Sequence, residues 1–215
     1  CALDIGANIG NHSLYFSNVF SRVVGFEPNP HTFELLKYNA SFRQNIDVHC
    51  VGLGDKVGTF NIIENPTNLG ASYISKKSES NTGAVSVSID TLDAIVGDVD
   101  KISFIKIDVE GAEYLVLKGA VEIAKKGNAK FIVEVHSVKN LSIVENTDKI
   151  LSWCKDNDYK AYYLKKHLEL EDSKLIENRG RYHLLLINKD KKYPQELKNI
   201  KQGEMLENIK ARNFD

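Results

Sequence analysis

Short apolar runs alternate with amphipathic segments of helical spacing along most of this chain, and that alternation most limits its folds. Helices that cross between strands are the connections parallel strands need, so the pattern specifies an α/β protein. The runs read as strands are Cys1–Asp4, Arg22–Glu27, Asp47–Gly52, Ser103–Asp108, Lys130–His136, Tyr159–Leu164 and Tyr182–Asn188.

Between them, Asn8–Phe20, His31–Phe42, Gly111–Lys126 and Thr147–Asp156 have helical spacing, with Asn29 as a cap ahead of Pro30 and Gly127 after a lysine-rich last turn. Val57–Ile63 and Ala84–Ile89 alternate apolar and polar positions and are joined by a polar stretch, so a hairpin or flap is expected over about 57–89. Residues 1–188 are read as one domain and 189–215 as a polar extension, in which Gly203–Asn213 fits either a terminal helix or a solvated tail.

A length of 215 residues suits a single core, and 42% hydrophobic against 27% charged residues argues against disorder. Lys plus Arg number 28 and Asp plus Glu 29, with no long stretch of one sign, so no nucleic-acid or anionic-membrane footprint is expected. Cys1, Cys50 and Cys154 are odd in number, far apart and outside any CxxC pair, so neither a zinc knuckle nor a disulfide framework follows, and a reducing, cytoplasmic setting fits best. No apolar run approaches the roughly 20 residues of a membrane span, so a soluble protein is expected. The chain opens on Cys1-Ala2-Leu3-Asp4 without a methionine, and a natural segment is expected to precede it. Nothing in the sequence supports an oligomer.

The most informative stretch is Asp4-Ile5-Gly6-Ala7-Asn8-Ile9-Gly10-Asn11. It puts a carboxylate at a strand end and two glycines ahead of a helix, a turn that nucleotide-like ligands use. Gly6 can take positive φ and let a ligand approach the backbone, and Gly10 permits close packing of helix on strand. A dinucleotide fingerprint would need GxGxxG, and here Asn8 stands inside GxxxG; a GxxxxGK[ST] phosphate loop is absent too. Asp4 would repel a phosphate and attract an ammonium. Glu27, in Gly25-Phe26-Glu27-Pro28-Asn29-Pro30, ends the second strand where a carboxylate can accept both ribose hydroxyls. An amine-binding Asp beside a ribose-binding Glu describes S-adenosyl-L-methionine, a nucleoside joined to an amino acid.

Phe104-Ile105-Lys106-Ile107-Asp108-Val109-Glu110-Gly111-Ala112-Glu113 delivers three carboxylates from a strand into the following helix. Helix-start carboxylates can simply complement the dipole. Asp108, however, sits at the carboxyl end of a central strand, where doubly wound sheets bind ligands. Val133-Glu134-Val135-His136 puts an acid and an imidazole on the same rim, and His136 can take a proton near neutral pH. His12, His31, His49, His167 and His183 have less behind them.

The set DIGANIGNHSLYF, FEPNP, IKIDVEGAEYLVLKGA and VEVH, in this order and spacing, resembles the FkbM family of S-adenosylmethionine-dependent methyltransferases over roughly Cys1 to His136, and more loosely to Asn188. The resemblance implies a class I methyltransferase (Rossmann-like) fold. Its sheet is seven-stranded and mostly parallel with an antiparallel last strand, and it carries helices on both faces. It also implies methyl transfer to a hydroxyl oxygen of a small molecule or sugar. Carried over by position, Asp4, Gly6, Asn8 and Gly10 line the methionine end of the cofactor, Glu27 holds the ribose, and Asp55 faces the adenine. Asn68-Leu69-Gly70-Ala71-Ser72 resembles a flap segment from which Ser72 reaches the site. Family members usually carry helices ahead of the first strand, and these are absent here.

A neutral hydroxyl is a poor nucleophile, so a base is expected near the methyl group, with Asp108, Glu110 and His136 as candidates. Glu110 and Glu113 are read as orienting the substrate or nearby loops, and Asp108 also borders the cofactor. Asp108, Glu110 and His136 offer hard and borderline ligands, but no ligand spacing demands a metal, and none is expected. A nucleotide-binding oxidoreductase on a related sheet and a non-catalytic cofactor-binding module are the other readings. Tyr73, Tyr114, Tyr162, Tyr163 and Tyr182 suit half-buried packing better than stacking on a sugar.

Overall fold

A computed structural model describes residues 1–63, 73–75, 84–97 and 99–199. Along the chain run β1 (Ala2–Ile5), α1 (Asn11–Phe16), β2 (Val23–Phe26), α2 (Pro30–Ala40), β3 (Ile46–His49) and β4 (Gly52–Leu53). Then come β5 (Gly58–Ile63), β6 (Tyr73–Ser75), β7 (Ala84–Asp90), α3 (Leu92–Ile95), β8 (Phe104–Ile107), α4 (Glu113–Lys118) and α5 (Val121–Lys125). The last are β9 (Lys130–His136), α6 (Ile143–Asp156), β10 (Tyr159–Tyr163), β11 (Leu168–Glu169) and β12 (Arg181–Asn188).

The main sheet has the order β11-β10-β12-β9-β8-β1-β2-β3. Strands β3, β2, β1, β8 and β9 are parallel, and β12 runs antiparallel between β9 and β10. From β1 through β3 the chain steps one way across the sheet, and from β8 to β9 the other. Right-handed crossovers then put α1 and α2 on one face and the helices after β8 on the opposite one. The reversal between β1 and β8 opens a crevice at the carboxyl ends of the strands.

The larger core packs Ile5, Ile107, Phe131 and Val133 of the sheet against Val116, Leu117, Ile150 and Trp153. A smaller cluster of Ala2, Phe16 and Val23, flanked by Phe20 and Phe104, lies apart from it. Of the tyrosines, Tyr163 and Tyr182 are buried as an edge-on pair, with the Tyr182 hydroxyl hydrogen-bonded to Thr147, and Tyr162 packs on Tyr193.

Four expectations need correction. The sheet has eight strands, because the exposed two-residue β11 pairs with Tyr162 and Tyr163; a pair that short has no period to read. The expected strand Asp47–Gly52 divides: Ile46–His49 pairs with β2, while Gly52–Leu53 joins β7 in a second sheet of order β4-β7-β5-β6, in which β5 pairs antiparallel with β7 on one side and, on the other, with β6, which comes between them in the chain. The helix expected over Gly111–Lys126 breaks at Gly119, where a Cβ would lie 2.1 Å from the Gly54 carbonyl oxygen, and Asp93 restarts it by accepting the N–H groups of Glu122 and Ile123. The last long helix begins at Ile143 rather than Thr147, because Ser142 and Glu145 form a reciprocal capping box. The stretch Gly203–Asn213 lies outside the described residues, and so does Ser72.

Candidate active site

The turn after β1 is built from three left-handed residues, Gly6 (φ 71°), Asn8 (φ 51°) and Gly10 (φ 94°). Asn tolerates this region because its side chain bonds locally, and here Asn8 Oδ1 accepts the Ile9 N–H at 2.7 Å. The N–H groups of Gly6 and Ala7 both donate to the Phe26 carbonyl, which ties the turn to β2. A Cβ on Gly6 would lie 1.8 Å from the Asp108 carbonyl oxygen, a backbone atom that cannot step aside. Gly6→Ala is therefore expected to cost about 2–4 kcal/mol through clash and backbone strain. That corresponds to roughly 5–15 °C in Tm, read by circular dichroism.

The cavity over this turn is lined by Gly6, Asn8, Glu27, Asp108 and Glu110 on its polar side. Leu53, Phe60, Val87 and Ile89, all from the second sheet, supply apolar wall. Glu27 is buried and pre-held: Oε2 accepts the Asn8 N–H at 3.0 Å and Oε1 the Asn29 N–H at 2.9 Å. Burial pushes its carboxyl above the usual carboxylate range, against the pull of these two donors and of the Lys106 charge. Thr32 also lines the cavity, and its buried Oγ1 has no hydrogen-bond partner among the described residues.

Asp4 and Gly10 lie beneath the cavity rather than in its lining. Asp4 is fully buried; its Oδ1 pairs with Lys106 Nζ at 3.1 Å and its Oδ2 accepts from Ser13 Oγ at 2.6 Å. The ammonium that Asp4 attracts is thus the protein's own, and Asp4 supports the turn from below. Lys106 also donates to the Gly6 carbonyl and stands 3.6 Å from Asp108 Oδ2. Sequence reasoning passed over Lys106, although a lysine within the apolar run Phe-Ile-Lys-Ile was the available signal. Asp55 stands outside the lining, where a hydrogen bond from Lys118 at 2.7 Å holds its carboxyl below the usual range.

The second half of the site surrounds His136, which is only 6% exposed. The fully buried Glu113 reaches it from α4: Oε1 meets His136 Nδ1 at 2.8 Å and accepts the Gly111 N–H, and Oε2 accepts from Asn146 Nδ2. Asn146 Nδ2 also donates to the His136 carbonyl. Glu113 therefore holds the imidazole and faces no open space, and Asn146, which no local pattern marks, completes the arrangement. His136 Nε2 points at Glu110 Oε2 (3.7 Å), Glu134 Oε1 (3.8 Å) and Asp108 Oδ1 (3.9 Å). Burial opposes a charge on this ring, but the Glu113 hydrogen bond and the charges of Glu113, Glu110 and Asp108 outweigh it and raise the imidazole above its ordinary value. Glu110, with φ 50°, has its carboxyl raised by burial and by the neighbouring carboxylates against the pull of His136.

A sheet of this order with a ligand crevice at its switch point is the class I methyltransferase architecture. The methyltransferase FkbM domain matches residues 4–161, and the chain belongs to that family. The family's cofactor is S-adenosyl-L-methionine. The hexuronic acid methyltransferase AglP of Haloferax volcanii is 30% identical over 166 residues, covering 73% of this chain and 67% of that one. A solved FkbM methyltransferase from Methylobacillus flagellatus superposes with a TM-score of 0.57 at 20% identity, over 86% of this chain and 42% of that one. An rRNA methylase from Streptococcus thermophilus shares the fold at a TM-score of 0.50 and 11% identity, over 87% of this chain and 85% of that one. The chain thus spans two thirds of the Haloferax volcanii relative and less than half of the solved FkbM chain. Among the described residues no helix is long and apolar enough to cross a membrane.

Proposed function

We propose that this chain transfers the methyl group of S-adenosylmethionine to a hydroxyl oxygen of a small-molecule or carbohydrate acceptor. The observation that carries this reading is the convergence of Asp108, Glu110 and His136 at one end of a cavity whose other polar side holds Glu27. The residues present fit the cofactor. Glu27 keeps lone pairs for two ribose hydroxyls, and the orphaned Thr32 hydroxyl awaits a polar partner. Gly6 and Asn8 would border the methionine end, and Asp108 and Glu110 suit a neighbouring sulfonium charge.

When bound, S-adenosylmethionine would supply an electrophilic methyl group with a neutral sulfide as its leaving group; the residues of the cavity would hold the acceptor oxygen in line with that methyl, and the acid–imidazole cluster would take the hydroxyl proton. Glu113 acts as a positioning residue through His136. The hexuronic acid methyltransferase relative supports a sugar acceptor. This reading takes a sugar rather than RNA as the acceptor, in keeping with 28 basic against 29 acidic residues in the chain. The three cysteines are free thiols, in keeping with a reducing, cytoplasmic setting.

The test is calorimetric titration with S-adenosylmethionine and with a nicotinamide dinucleotide, followed by transfer of labelled methyl to uronic acids, neutral sugars and RNA. Micromolar binding of the first ligand alone and labelling of a sugar are expected, with turnover falling about 100-fold or more in His136→Ala and Asp108→Asn. Undiminished turnover in both variants removes the catalytic assignment, and labelling of RNA alone overturns the acceptor class.

A further inference from the structure

Beside the cofactor cavity, one nitrogen and two carboxylates converge without bonding to each other. Ligand atoms of Asp108, Glu134 and His136 all lie within 4.8 Å of one another. They come from the ends of β8 and β9, which pair in register up to Ile107 and Val133, so the strands themselves bring the side chains together.

His136 is more than nine-tenths buried, and its Nε2 has no hydrogen-bond partner among the described residues. Its other nitrogen is engaged by Glu113, which fixes the ring and leaves Nε2 aimed at the carboxylates. A buried histidine whose Nδ1 meets a carboxylate while Nε2 faces an acidic cluster is the arrangement by which outer groups orient a metal-binding imidazole. A proton on Nε2 would not serve as well, because separations of 3.7–3.9 Å from Glu110, Glu134 and Asp108 exceed hydrogen-bond length. Neighbouring ligands of one ion with bonds of about 2.1 Å stand roughly 3.0–3.5 Å apart, so the three atoms, now within 4.8 Å of one another, would have to draw in by up to about 1 Å, which rotation of the two carboxylates can supply.

The local charge points the same way. Asp108, Glu110, Glu113 and Glu134 surround one imidazole. Lys106 balances only the far oxygen of Asp108, and Glu134 meets Arg181 and His183, whose side chains are largely exposed. We propose that Asp108, Glu134 and His136 bind one divalent cation of the manganese class, which two hard oxygens and one imidazole nitrogen suit together. Glu110 stays outside this ligand set. The role that follows rests on the methyltransferase reading: beside Asp108 the cation would hold the acceptor oxygen next to the methyl group, lowering the cost of releasing its proton, which in the cation-bound state passes to Glu110 because Nε2 of His136 is then a ligand.

The test uses the intact chain, stripped with chelator and dialysed, and reads Mn²⁺ binding from the free-ion paramagnetic resonance signal and from the rise in Tm. One site per chain, binding at about 10–500 µM, is expected. Glu134→Gln and Asp108→Asn should each weaken it about tenfold or more while far-ultraviolet circular dichroism shows both folded. No binding at millimolar Mn²⁺ to the folded chain, or binding unchanged in both variants, overturns the site. S-adenosylmethionine affinity is measured on the same samples. Absence of S-adenosylmethionine binding to the wild-type chain with Mn²⁺ binding intact would count against the proposed function alone, and the reverse against the cation site alone.

Discussion

Glu27→Gln is expected to lower the affinity for S-adenosylmethionine about 10–100-fold in calorimetric titration, with the chain still folded. Both carboxylate oxygens are committed to backbone donors, Asn8 and Asn29, and the remaining lone pairs are what a ribose would use. An amide in this place turns one acceptor into a donor. It faces a backbone N–H with an NH₂ group and forfeits a hydrogen bond to a charged partner, worth about 1.5–3 kcal/mol. A pH profile separates this loss from a general change in the pocket. Because burial raises the Glu27 carboxyl, wild-type affinity is full above that raised value and declines as pH falls through it. The Gln variant has no such group, so its weaker affinity should lack that decline. An equal decline in both would assign the titration to another group.

Glu113→Ala is expected to be among the most destabilising single changes in this chain, at about 3–5 kcal/mol, or roughly 6–20 °C in Tm. The side chain is inaccessible to solvent, and its removal strands three donors at once: the Gly111 N–H, His136 Nδ1 and Asn146 Nδ2. Two of them, His136 Nδ1 and Asn146 Nδ2, are buried and cannot turn to water without opening α4 from β9 and α6. Glu122→Ala is the fitting comparison, because the pair of Glu122 with Lys125 is mostly exposed on both sides and should be worth less than about 1 kcal/mol. Thermal melts of the two variants side by side decide the matter. Near-equal melting temperatures would mean that the buried arrangement around His136 contributes no more than a surface pair.

The difference between these two glutamates marks where sequence stops being enough. Local chemistry determined the start of α2, where Asn29 accepts the His31 and Thr32 N–H groups ahead of Pro30, and the left-handed turn at Gly6, Asn8 and Gly10. It also determined the parallel core, because apolar runs and helical spacing are periods that a few neighbouring residues set for themselves. Glu27 and Asp108 were legible as strand-end carboxylates for the same reason. Partners far apart in the chain carry no such period. Asp4 and Lys106 meet across β1 and β8, Glu113 finds His136 and Asn146 from two other elements, and the helix after β8 breaks where Gly119 meets Gly54. Packing alone decided that Asp4 is neutralised inside the protein, that Glu113 holds a histidine, and that Nε2 of that histidine is left facing carboxylates: burial forces each polar atom to take whichever partner the fold brings within reach.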